Sequence, residues 1–484
     1  MRKNDSLAWV AVEGIATRIL QFTIGVTMAR MLLPEDYGLV GVVAVFIAIA
    51  QTLSGLGIGM ALVQAQEVNP ADEAAAFGLM LASSFVSIVL LFIAAPVVAD
   101  FYAEPMVKTI MWVLSFQVLA NSLGVIHSAR LQRNLRFKPQ AIISLSSTLL
   151  GGVVGIVLAA NSHGVWSLVA QVLCASAVSL VLLWTLSDWR PSLRFDVSRL
   201  KRFWHFSSRS LANSLLFLVS DAVFPILIGK LYSLKDVGLF ARANQLQQLP
   251  SHLVTDAIGR IAFPVFSRLQ SEPVRLKELL RKCLRLMMSI HAPVMVGLFV
   301  IADDFIPMLF TIKWNDTVPL FKLLVVGGLF YPINALQVSA INALGRSDIV
   351  LRLELIKKFM LFVIVLATFS LGLEVMCAGI ALHILLCSWL NQRWLSHELG
   401  YMYLEYLGDI SVAILAALLM GLVVSWLQSA IAMDYPGLFV LVLAGTMSYA
   451  CLVVILRARG FQELWSVVNG ISPLEWAESG DAGK

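Results

Sequence analysis

Six polar side chains fall at helical spacing in one stretch of this sequence: Arg242, Gln245, Gln248, His252, Asp256 and Arg260. The steps are three, three, four, four and four residues, the 3.6-residue period of an α-helix. They make one stripe about 27 Å long at 1.5 Å per residue, and the residues between them are largely apolar. Hydrocarbon cannot solvate such a stripe, so it is expected to line a water-filled cavity. The plainer reading is hydrogen bonding between packed helices, which ordinarily takes one or two residues rather than six.

Other apolar runs carry fewer polar groups. Glu13, Thr17 and Gln21 share one helical face, with Arg18 beside it. Ser210, Asn213, Ser214 and Asp221 lie on one side of a later run, and Lys322, Tyr331, Asn334, Gln337 and Asn342 on another, with Pro332 as an expected kink. Cations (Arg18, Arg242, Arg260, Lys322) outnumber carboxylates (Glu13, Asp221, Asp256). A mildly cationic cavity suits a phosphate-bearing substrate, because the planar guanidinium fork meets two phosphate oxygens at once. The candidate substrate-binding set is therefore Arg18, Arg242, Arg260, Gln245, Gln248, His252, Lys322 and Asn334. Glu13, Asp221 and Asp256 are candidates for charge balance or ion coupling. His291 and His383, each alone in an apolar run, are read as structurally satisfied, and Asp303-Asp304 as solvated surface at a membrane edge. Cys174, Cys283, Cys377, Cys387 and Cys451 have no metal-ligand spacing. No catalytic residue, metal site or cofactor is expected.

The elements that must position these residues follow from composition. Of 484 residues, 59% are hydrophobic and 13% charged, with a mean hydropathy of +0.84. A soluble domain is roughly 45–50% apolar and about 25% charged. The chain reads as an all-α integral membrane protein with about fourteen transmembrane helices of ~20 residues each. The expected spans are 8–33, 38–63, 76–99, 107–127, 140–160, 164–186, 210–232, 238–262, 283–301, 316–342, 348–372, 375–396, 409–427 and 436–456. The net charge of +5 does not mark a nucleic-acid binder, since the basic residues sit in short loops between apolar runs. The N-terminus lacks the features of a cleavable signal.

Cytoplasmic loops collect Lys and Arg. Arg130, Arg133, Arg136 and Lys138, the cluster Arg190 to Arg209, the cluster Arg268 to Arg285, and Arg346 to Lys358 all fall on one side. Only Arg30, Lys108, Lys230, Lys235 and Lys313 fall on the other. Both termini are therefore expected in the cytoplasm. No loop on the outer side is long enough for a catalytic domain.

A short motif recurs. Asp36-Tyr37-Gly38-Leu39 opens the second span, and Asp236-Val237-Gly238-Leu239 opens the eighth, each after a basic residue (Arg30, Lys230) and at an offset of 200 residues. The six intervening spans are an even number, so the halves would share orientation. A parallel repeat implies a pseudo-two-fold axis along the membrane normal and a substrate path between the halves. The expected organisation is a six-helix lobe over 1–186, a cytoplasmic amphipathic linker over 187–209, a second six-helix lobe over 210–396, two extra transmembrane helices over 397–459 and a cytoplasmic tail over 460–484. In the linker, Val197, Leu200, Phe203 and Trp204 would form an apolar stripe opposite Arg199, Lys201 and Arg202.

Five motifs in order carry a family resemblance: Ala29-Arg30 with Leu33-Pro34-Glu35-Asp36-Tyr37-Gly38-Leu39; Gly55-Leu56-Gly57 with Ala61-Leu62-Val63-Gln64; Leu131-Gln132-Arg133-Asn134-Leu135-Arg136-Phe137; Gly164-Val165-Trp166-Ser167-Leu168-Val169; and Ala343-Leu344-Gly345-Arg346-Ser347-Asp348. Together they resemble the polysaccharide-transporter (Wzx-type flippase) family of the multidrug/oligosaccharidyl-lipid/polysaccharide exporter superfamily. The resemblance implies a V-shaped pair of pseudo-symmetric six-helix lobes around a central cavity, with two further helices at the C-terminus. It implies flipping of an undecaprenyl-diphosphate-linked oligosaccharide across a bacterial inner membrane for exopolysaccharide or lipopolysaccharide biosynthesis. The partners would be that lipid-linked oligosaccharide, membrane lipid and other polysaccharide-assembly proteins, with no nucleic acid. On this reading Arg18, Arg242 and Arg260 hold the diphosphate, while Asp221 and Asp256 balance the empty cavity.

Two other functions fit the span count. A drug or organic-cation antiporter of the same superfamily would want acidic and aromatic residues in its cavity, which the excess of cations opposes. A membrane polysaccharide polymerase would need a sizeable outer loop bearing catalytic residues.

Overall fold

A computed structural model describes residues 3–64, 68–191, 222–431 and 434–456, with positions 211, 214, 215, 218, 460 and 463 besides. Nearly all of the expected linker helix, Asp221, and the tail apart from Gly460 and Glu463 lie outside the described residues, as does the side chain of Arg260.

Among the described residues all regular structure is helical. The order is α1 (Lys3–Met31), α2 (Pro34–Gly55), α3 (Ile58–Gln64), α4 (Pro70–Tyr102), α5 (Pro105–Arg133), α6 (Phe137–Ala160) and α7 (Val165–Leu186). There follow α8 (Ala222–Leu231), α9 (Leu234–Arg268), α10 (Pro273–Phe310), α11 (Thr317–Gly328), α12 (Tyr331–Ala343), α13 (Ser347–Thr368), α14 (Leu373–Leu399), α15 (Tyr403–Gln428) and α16 (Tyr435–Ile455). Ten are long and apolar enough to cross a membrane, with α11 and α12 taken together as one. The chain is a multi-pass helical membrane protein. The packing separates two compact units, Met1–Ala241 and Arg242–Lys484.

Helix starts follow the local chemistry. Proline occupies the first turn of α2, α4 and α5, where its missing N–H has no partner to lose. In α2 the Asp36 carboxylate accepts from the Leu33 N–H at 3.0 Å. At the start of α9, Ser233 Oγ donates to Asp236 at 2.7 Å and accepts from the Asp236 N–H at 3.1 Å. The same aspartate of the recurring motif thus closes both first turns.

Two of the expected spans are broken. The second ends at Gly55, and α3 begins after Leu56 and Gly57, both in the left-handed region. The tenth stops at Gly328 and restarts as α12 at Tyr331, with Pro332 in its first turn. Within the first unit, small residues let helices approach closely. A Cβ on Gly152 of α6 would strike Ile24 of α1, and one on Gly151 would strike the Gln171 carbonyl of α7.

In α13, within the expected span 348–372, Lys357 is ten residues from the helix start and 5% exposed, its Nζ 2.8 Å from Glu354.

Candidate functional site

Helix α9 carries the polar stripe, and its residues from Arg242 onward belong to the second unit. Arg242 is 8% exposed. Its Nη1 donates to Gln245 Oε1 at 2.6 Å, and its guanidinium carbon lies 6.0 Å from the ring centres of both Phe310 and Trp314. Those rings are buried where α10 ends and a short 3-10 turn begins. The cation therefore sits against aromatic faces, a favourable place for a desolvated guanidinium. Gln245 is exposed, and Gln248 is half-buried with its Nε2 3.2 Å from Asn244 Oδ1. His252 meets Tyr331 edge to face, with ring centres 5.5 Å apart. Asp256 is half-buried.

Another face of α9 packs on a helix break. Gly328 ends α11, and a Cβ there would run into Gln247 of α9. At the break the Gly328 carbonyl has no i+4 N–H, since that residue is Pro332. His291 Nε2 lies 3.1 Å from the Gly328 carbonyl, and Asn334 Nδ2 donates to the Phe330 carbonyl at 3.2 Å. A carbonyl can only accept, so the proton sits on His291 Nε2. His383 Nε2 does the same for the Lys357 carbonyl at 3.0 Å. Discontinuous membrane helices of this kind line binding sites in transporters, because irregular backbone survives at membrane depth only where it is buried or lines a cavity.

Other candidates have partners of their own. Asn334 spends its second amide proton on the Ile384 carbonyl at 3.1 Å, and its oxygen accepts from Asn391 at 3.2 Å. Lys322 pairs with Asp303 and lies 5.6 Å from the Phe299 ring centre. In the first unit Glu13 and Arg18 are half-buried on α1, and Thr17 Oγ1 is 3.3 Å from Ser144 Oγ on α6.

Sequence reasoning missed two polar systems. On α9, Gln247 and Ser251 are buried away from the predicted stripe and bond to each other at 3.1 Å. At one end of α10, Lys277, Arg281 and Arg285 pair with Glu405 and Asp409 of α15 and with Glu463. Tyr401 donates to Asp409 at 2.8 Å. Burial first, and the Asp409 charge second, push that phenol far above its ordinary pKa, so it stays a donor. The readable signal was spacing: four residues between successive cations on α10 and between the carboxylates on α15.

A family profile described as "Polysaccharide biosynthesis protein" matches residues 27–319. The chain is 24% identical to the succinoglycan biosynthesis transport protein ExoT of Rhizobium meliloti (strain 1021), over 97% of this chain and 96% of that one. It is 25% identical to the lipopolysaccharide biosynthesis protein WzxC of Escherichia coli (strain K12), over 74% and 72%. Among solved structures, the lipid II flippase MurJ in an inward closed conformation superposes with a TM-score of 0.74 at 13% identity, covering 92% of this chain and 98% of that one. An inward-facing multidrug transporter of the MATE family superposes at 0.61 with 16% identity, over 82% and 98%. These two fix the fold. The profile spans more than half of the sequence, and the chain belongs to the polysaccharide biosynthesis protein family.

Proposed function

We propose that this protein flips an undecaprenyl-diphosphate-linked oligosaccharide repeat unit across a bacterial inner membrane for polysaccharide biosynthesis. It is a transporter and not an enzyme, and it works by alternating access. The observation that carries the reading is its end-to-end similarity to a succinoglycan transport protein, in a multi-pass helical chain whose α9 carries amide, imidazole and guanidinium groups. The proposed organisation is fourteen spans with both termini cytoplasmic, as two six-helix lobes followed by two helices. Arg18, Arg242 and Arg260 are proposed to hold the diphosphate. Gln245, Gln248, His252, Lys322 and Asn334 line the path, and Glu13, Asp221 and Asp256 balance charge.

Deletion of the gene tests the function directly. Lipid-linked repeat units should accumulate on the cytoplasmic leaflet, and polymer should disappear. Normal polymer with no accumulated intermediate would refute it.

A further inference from the structure

Lys277, Arg281 and Arg285 stand one helical turn apart on α10, on the side that packs against α15. Arg281 gives Nε and Nη2 to the two oxygens of Asp409 at 2.7 and 3.2 Å and Nη1 to Glu405 at 3.0 Å. Arg285 gives Nη1 to Asp409 at 2.8 Å. Its remaining edge, Nε and Nη2, goes to a single oxygen of Glu463, with Nε at 2.9 Å.

The two carboxylates differ in kind. Asp409 is part of the helix packing, held by Arg281, Arg285 and Tyr401. Glu463 arrives on the segment after α16. Gly460 lies directly on α10, since a Cβ on it would strike Ser289 and the Arg285 carbonyl. The Arg285 edge offers two parallel N–H donors, the geometry that a phosphate meets with two oxygens. Glu463 answers both donors with one oxygen. Burial raises the Glu463 carboxyl pKa and Arg285 draws it down, so this carboxylate is costly to keep charged where it sits.

Helix length is consistent with this. Arg285 is twelve residues into α10, and the rest of that helix is about 37 Å long, enough to cross the ~30 Å hydrocarbon core. A span over that stretch would leave Arg285 at the level of lipid headgroups.

We propose that the Arg285 edge is a phosphoryl-binding site which Glu463 occupies from within the chain. A phosphate or diphosphate group, on a lipid headgroup or free in solution, displaces the Glu463 carboxylate from Arg285. This rests on the ion-pair geometry and not on the flippase reading. A protein that binds pyrophosphate at Arg285 but moves no lipid would keep this inference and lose the other.

The test uses the full chain in nanodiscs, with pyrophosphate as the soluble probe and farnesyl diphosphate in the bilayer as the lipid probe. Glu463→Gln keeps the shape and removes the charge. It should tighten pyrophosphate binding on the order of tenfold, the worth of one charged hydrogen bond. Adding Arg285→Lys should erase that gain. Gly460→Leu, which forces position 460 away from Ser289 and the Arg285 carbonyl without touching either charge, should give the same gain. A gain with farnesyl diphosphate makes a lipid headgroup the ligand; a gain with pyrophosphate alone makes it a soluble anion. No gain for either probe in both variants overturns the site and leaves Glu463 a structural clasp.

Discussion

Gly38 and Gly238 meet main chain to main chain where α2 and α9 begin. A Cβ on Gly38 would run into the Leu234 carbonyl, and a Cβ on Gly238 into the Pro34 carbonyl and, at 3.2 Å, the Gly38 nitrogen. The relation is reciprocal: Leu234 stands 200 residues after Pro34, as Gly238 does after Gly38. The recurring motif therefore packs against its own second copy about a local two-fold, and glycine is required there because no side chain fits.

Gly38→Ala and Gly238→Ala should each cost about 1–3 kcal/mol, the usual range for overpacking. Gly14 is the control. Nothing lies within 4 Å of its Cβ position, so Gly14→Ala should be neutral or stabilise slightly. Thermal unfolding in detergent reads all three. Equal midpoints for Gly38→Ala and Gly14→Ala would contradict the crossing.

A second prediction concerns the buried amides of the second unit. Gln392 is 0% exposed. It accepts from Gln337 at 3.2 Å and donates to the Tyr401 carbonyl at 2.8 Å. Gln392→Leu strands both partners and should destabilise by about 1–3 kcal/mol. Gln392→Glu keeps the acceptor but adds a buried charge, and should be worse. A midpoint unchanged in both variants would show that the ladder does not support the fold.

The helical membrane character was legible because membrane spans need long apolar runs, and ten such helices are observed among the described residues. Partnerships were not. Asp409 and Arg281 are 128 residues apart, and no local spacing links them. Asn334 read as a cavity residue because an amide in an apolar run looks functional. The structure adds three hydrogen bonds, two of them to α14, which no local spacing announced. Pro332 marked a kink, and the helix in fact breaks just before it, with no proline N–H for the Gly328 carbonyl; the tight approach of Gly327 to Ala381 of α14 was not legible.

Membrane orientation is checked by labelling single cysteines in a cysteine-free background. A cysteine replacing Lys313 should react with an impermeant thiol reagent added outside, and one replacing Lys201 should not. Ready reaction at position 201 would invert the proposed topology.

Arg242 offers a clean test of the transport site. Arg242→Lys keeps the charge and loses the planar fork that lies against Phe310 and Trp314 and reaches Gln245. Transport should fall roughly tenfold, the worth of one charge-assisted hydrogen bond, while membrane abundance holds. A proportional fall of both would make Arg242 structural only.

The last prediction concerns Glu354 and Lys357. Lys357 is nearly buried, and a buried ion pair is expensive to hold, because each charge loses its hydration and the partner repays only part of that loss. The side chains are 24% and 6% exposed, so Lys357 depends on Glu354 more than the reverse. Glu354→Gln leaves the ammonium facing a neutral amide and should destabilise by about 2–4 kcal/mol. Lys357→Met leaves a partly exposed carboxylate that can take up a proton, and should cost less. The double variant should recover most of the native midpoint if the pair serves packing alone. Transport separates the readings, since intramembrane charges usually serve ion or substrate movement. A double variant with native stability but little transport would assign the pair to the transport cycle. One with native stability and native transport would leave it as helix packing between α13 and α14, where His383 already anchors the Lys357 carbonyl.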